Sequence, residues 1–175
     1  MKFYYSVYLI IIISFLTACE KDDICAETNA TTPQLVITFK DANNNAESKA
    51  VESLGVYAVK DNELILIESI NGITTDSIAI PLRNDINISD FKFYKNYSLI
   101  DGEIEGEQNH IYLDYSTTEV FVSGACGFIN NYTDLSVFTY DPNVFGPPTV
   151  NWISGYEIIN PIVENENQAH VNIFH

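Results

Sequence analysis

A chain of 175 residues with 24 acidic against 8 basic side chains has a formal charge of −16, which excludes a surface that tracks a phosphate backbone, so nucleic acid is not an expected partner. The same charge is repelled by anionic lipid headgroups.

The chain starts with Lys2 and an apolar run from Phe3 to Leu16 that includes Ile10 to Ile13. A membrane-spanning helix needs about 20 apolar residues. Here the run stops at Cys19 and Glu20, Lys21, Asp22 and Asp23 follow at once, so it reads as a secretory signal. Leu16-Thr17-Ala18-Cys19 resembles the lipobox of bacterial lipoproteins, in which small residues fit the peptidase site and the cysteine thiol takes a diacylglyceryl thioether. The expected outcome is removal of residues 1–18 and lipidation of Cys19; the alternative is an ordinary signal peptide cleaved after Ala18. Cleavage removes only Lys2 among the charged groups, taking the net from −16 to −17 and leaving 157 residues, the size of one domain. Acyl chains, rather than surface charge, must then hold the protein at a membrane.

Cys25 and Cys126 remain, an even number in an oxidising compartment. A bridge between them would close a loop of roughly 100 residues, for which loop entropy gives about 4.7 kcal/mol as an upper figure. Two separate buried thiols are the alternative. Residues 19–33 hold little that could be buried and read as an acidic linker. From Cys19 to Cys25 it can reach roughly 20 Å fully extended.

From Gln34 the pattern has a period of two. Leu35, Ile37 and Phe39 form a strand that ends in a loop at Asp41-Ala-Asn-Asn-Asn. Strands are expected at 54–59, 64–70 and 77–82, with tight turns at Asp61-Asn62 and Asn71-Gly72. Further strands are expected at 90–97, 110–115, 119–124, 133–140, 150–159 and 170–174. Pro142, Gly146, Pro147 and Pro148 mark a long loop. Glycines on either side of Cys126, Gly124 and Gly127, permit the close approach that a bridge to an incoming tail requires. Short strands with frequent turn signals predict an all-β fold, an antiparallel β-sandwich of immunoglobulin-like type over residues 34–175, with a closed β-barrel as the alternative.

Catalytic motifs are sparse. His110, His170 and His175 lack metal-ligand spacing, and the last two read as polar positions on an edge strand. Nucleophile-elbow, dinucleotide and phosphate-loop motifs are absent. Asp41, Asn43, Asn45 and Glu52 have the spacing of a calcium loop, but Ala46 stands where that loop needs glycine and the flanks read as strands. Tyr112, Tyr132, Tyr140, Trp152 and Tyr156 can either stack on sugar rings or fill a core, and the core reading is preferred. Asp76-Ser77-Ile78 resembles the O-glycosylation acceptor of exported Bacteroidota proteins, which makes Ser77 a candidate glycosylation site.

Several segments together resemble an uncharacterised lipoprotein family of flavobacteria and other Bacteroidota: Cys19-Glu-Lys-Asp-Asp-Ile-Cys25, the strand starting Thr32-Pro-Gln-Leu, Asp76-Ser-Ile-Ala-Ile-Pro-Leu82, Ala125-Cys-Gly-Phe128, Asn151-Trp-Ile153 and Ala169-His-Val-Asn-Ile-Phe-His175. The resemblance implies a cell-envelope lipoprotein with a β-rich domain, no catalytic residues and no cofactor. It also makes Lys21, Asp22 and Asp23 similar to a lipoprotein export signal that directs lipoproteins to the outer face of the outer membrane; a solvated spacer facing the periplasm is the alternative. The expected function is a non-catalytic binding or structural module whose partner is an envelope protein or a glycan. The competing expectation is a glycan-binding or hydrolytic accessory protein of an outer-membrane uptake system.

Overall fold

The computed structural model describes Cys25, residues 31–139 and residues 152–175. The expected signal segment, Cys19, Lys21, Asp22, Asp23, Tyr140 and the proline-rich loop lie outside the described residues. Those described fall into two compact units. The larger holds Thr32–Val120 and Asn130–His175; the smaller holds Cys25, Thr31 and Phe121–Ile129.

Strict alternation of buried Leu35, Ile37 and Phe39 with half-buried Val36, Thr38 and Lys40 makes β1 (Leu35–Asp41). Each of the three buried side chains contributes about 1.5–3 kcal/mol by leaving water. The chain continues through β2 (Asn44–Ser48), β3 (Val51–Lys60), β4 (Glu63–Thr75), β5 (Ser77–Ile80), β6 (Ile88–Ile100), β7 (Glu103–Ser123), β8 (Gly127–Phe138), β9 (Gly155–Ile158) and β10 (Val171–Phe174). One sheet has the order β2-β1-β10-β9, with β5 also on β1; the other has the order β4-β3-β6-β7-β8. Inner faces of both sheets supply a single core, including Phe39, Val56, Phe91, Phe93, Ile111, Leu113, Tyr132 and Ile173. The fold is all-β, and the two sheets form a sandwich rather than a closed barrel.

Several elements depart from the sequence expectation. The loop after Asp41 is short, and β2 follows it with all five residues exposed. An edge strand that buries nothing leaves no alternation to read, and its Asn and Glu side chains suit an unpaired edge. Asn71-Gly72 is not a turn but lies inside β4, where Gly72 takes φ +68 and the pairing with β3 shifts register. The strands expected at 110–115 and 119–124 are one 21-residue strand, β7. Ser116, Thr117 and Thr118, which join the two expected stretches, are polar and not buried, so no hydrophobic alternation carries across the join. β1 and β10 pair in parallel, from Ile37 beside Val171 to Lys40 beside Phe174. His170 and His175 are therefore not on an edge: β10 lies between β1 and β9, and both side chains are buried.

Bulges reset the alternation where it fails. Ser53 (φ +44) separates buried Val51 from buried Leu54, and Asp134 (φ +57) separates Tyr132 from Leu135. Asn96 (φ +54) turns Tyr97 onto the outer face, where its ring lies over Gly55 and its hydroxyl meets that of Tyr57 at 2.7 Å. Together with Tyr94, these tyrosines form a second, smaller cluster away from the main core.

Candidate functional site

A cleft of about 440 Å³ opens between the end of β3, the segment Pro81–Asp85 and the start of β6. This is within the range of small-ligand sites. Ala58, Ile65, Leu82 and Phe91 supply its apolar lining, and Lys60, Arg83, Asn84, Asp85, Ser89 and Asp90 its polar groups.

The segment forming its rim is held by a closed ring of hydrogen bonds. The Arg83 amide donates to Ser89 Oγ at 2.9 Å, Ser89 and Tyr115 share a hydroxyl bond at 2.6 Å, and Tyr115 Oη donates to the Arg83 carbonyl at 2.8 Å. One proton direction satisfies all three: Arg83 N–H to Ser89, Ser89 to Tyr115, Tyr115 to Arg83 C=O. Each bond polarises the next. Burial pushes the Tyr115 hydroxyl up to about 12, so it stays a donor at neutral pH. Tyr132 Oη adds a longer bond, 3.3 Å, to the Leu82 carbonyl. Outside the ring, the Arg83 guanidinium clasps Asp85 through two bonds of 2.9 and 2.6 Å and holds its carboxyl down to about 2.

Asp90, which lines the cleft, is hydrogen-bonded to His110, Oδ1 to Nε2. They face outward from adjacent strands, because Asp90 pairs with Tyr112 and Lys92 with His110. Ser89 is next to Asp90 in sequence, but neighbouring strand residues point to opposite faces, and Ser89 is buried against Tyr115. No serine–histidine–aspartate relay can form from these three. Asp41 and Asp85 both have lowered carboxyl pKa values, Asp41 chiefly through the Asn43 amide. A general acid would need a shift in the opposite direction.

The other histidines serve the fold. His170 Nδ1 accepts the Val36 amide at 3.0 Å, extending the β1–β10 ladder by a side chain. His175 Nε2 donates to the Lys49 carbonyl at 3.0 Å, and its ring meets Phe39 and Trp152 edge-on. Burial lowers the pKa of both. Sequence spacing could not reveal these roles, since the partners lie 126 to 134 residues away. In the calcium-like loop, Asp41 accepts from the Asn43 amide at 2.8 Å, while Glu52 is exposed on β3. Among the described residues, no three His, Cys, Asp or Glu side chains gather to hold a metal ion.

Of the candidate stacking aromatics, Tyr132 is fully buried, Trp152 packs on Phe39, Tyr112 meets Phe138 edge-on and Tyr156 is exposed. Ser77 opens β5, opposite Thr38, and is exposed. In the smaller unit, Cys25 and Cys126 are joined by a disulfide with their Cα atoms 4.9 Å apart. Ser123 Oγ accepts the Cys126 amide at 3.1 Å and closes the turn at the tip of the β7–β8 hairpin.

These features define a disulfide-bearing β-sandwich protein with a small, polar-rimmed cleft. None of the curated proteins or solved structures compared with it matches. The chain belongs to a family of unknown function, DUF6452, whose model matches residues 53–175. That span contains the hydrogen-bonded ring, the Asp90–His110 pair, Cys126 and β10.

Proposed function

We propose that the protein is a non-catalytic binding or structural module of the bacterial cell envelope, anchored by acyl chains, palmitate among them, on Cys19. The observation that carries the reading is the Cys25–Cys126 disulfide. It fits an exported, oxidising compartment, and it joins the hairpin tip to the chain six residues after the lipobox cysteine. Its net charge of −16 would not by itself attract the chain to anionic lipid. Support for a non-catalytic role comes from Ser89, which is committed to the ring rather than to the neighbouring Asp90–His110 pair. Lys21, Asp22 and Asp23 favour the outer face of the outer membrane in a member of the Bacteroidota, and Ser77 is exposed enough to carry a glycan.

Labelling cells with an alkyne fatty acid tests the anchor. The label is expected on the unaltered chain and absent from Cys19→Ser, and an unlabelled wild-type chain would refute the reading. Protease treatment of intact cells then separates the two faces: digestion without lysis supports surface display. The cleft favours a second reading, a glycan-binding or hydrolytic accessory protein of an uptake system. On that reading, Asp90→Asn would abolish glycan binding measured by calorimetry.

A further inference from the structure

The hairpin tip presents the two most exposed aromatic side chains among the described large hydrophobic residues. Phe121 is 60% and Phe128 64% accessible, and their rings meet edge-on at 5.3 Å. Every residue from Val120 to Thr133 is uncharged in a chain of net charge −16. We infer that the Phe121–Phe128 pair seats in the interfacial layer of a lipid bilayer, as a protein-made membrane contact beside the acyl anchor. This rests on the anchored reading of Cys19 above.

Chain length carries the argument. Cys19 lies in the bilayer interface if it is acylated, and the six residues to Cys25 span at most roughly 20 Å. The disulfide places the Cys126 Cα 4.9 Å from that of Cys25, and Phe128 is only two residues further. The pair is therefore confined to within a few tens of ångströms of the headgroups, comparable with the polar layer plus one short tether. Aromatic rings favour that layer. An uncharged tip can enter it, whereas the acidic remainder of the chain is repelled by anionic lipid. The disulfide would then serve to hold an aromatic pair at the depth where it is least costly to expose.

The test uses the acylated full-length chain, purified from membranes and reconstituted in phosphatidylethanolamine–phosphatidylglycerol vesicles. Phe128→Trp supplies a reporter at an already exposed aromatic position, and the unaltered chain, with Trp152 alone, supplies the background. Expected is a blue-shifted emission from the variant, quenched about twofold by lipids brominated about 5–10 Å below the headgroups. A water-like emission from labelled, vesicle-bound protein would overturn the contact while leaving the anchor standing. A blue-shifted but unquenched emission would also overturn it, because a protein partner or second copy would then cover the pair. A chain that carries no acyl label would overturn both the contact and the anchor.

Discussion

Tyr115→Phe tests the ring that holds the cleft rim. It deletes one hydroxyl and two of the three ring bonds, those at 2.6 and 2.8 Å, in a setting where Ser89 and Tyr115 are 1% and 2% exposed. Phenylalanine keeps the aromatic packing, so the loss is chiefly of hydrogen bonds: the Ser89 hydroxyl proton loses its acceptor and the Arg83 carbonyl its Tyr115 donor, while Ser89 Oγ still accepts the Arg83 amide, at about 1–3 kcal/mol. For a domain of this size each kcal/mol moves Tm by about 2–4 °C. Urea titration followed by circular dichroism is expected to show the midpoint fall with an unchanged slope. Tyr132→Phe, which gives up only the 3.3 Å bond to Leu82, is expected to cost less. Combined with Ser89→Ala, Tyr115→Phe should cost less than the sum of the two single changes, because both break the same ring. A Tyr115→Phe loss below about 0.5 kcal/mol, or strict additivity with Ser89→Ala, would refute the cooperative ring.

Gly55→Ala would place a Cβ 2.5 Å from Tyr97 Cγ, and the ring cannot withdraw without breaking its bond to Tyr57, so a loss of about 1–3 kcal/mol and an altered near-ultraviolet tyrosine signal are expected. Burial lowers the pKa of His170 and His175 when folded, so the unfolded chain takes up more protons; stability is complete above about pH 6.5 and falls as pH drops through the folded-state values. Urea midpoints should decline accordingly between pH 7.5 and 5.5, and His170→Asn/His175→Asn should flatten that decline. Reducing the Cys25–Cys126 disulfide, which spans 101 residues, should lower stability by no more than about 4.7 kcal/mol, read as a shift in urea midpoint with and without reductant.

Periodicity shows where this chain is straightforward to read. Leu35, Ile37 and Phe39 alternate on one sheet face and so predict β1, and Asp61-Asn62, both with positive φ, form the tight turn between β3 and β4 that their residue types favour. The pattern fails where burial is absent, as in β2, or where a bulge shifts the phase, as at Ser53, Asn96 and Asp134. Serine, asparagine and aspartate also occur in ordinary loops, so nothing local marks them as bulges. No local sequence signal marks the cleft. Ser89 and Tyr115 are 26 residues apart and Asp90 and His110 are 20 apart, and register alone brings each pair together.

Local chemistry therefore sufficed for the all-β class, the acidic charge and the candidate pairing of Cys25 with Cys126, because alternation, charge and parity are properties of neighbours and counts. The parallel seating of β10 against β1, the burial of His170 and His175, and the ring around Arg83 depend on which strands meet and in what register. Those are set by the free energy of closing long loops against the burial of one shared core. No short stretch contains that balance, so the histidines that look like edge residues in the sequence become interior hydrogen-bonding groups in the fold.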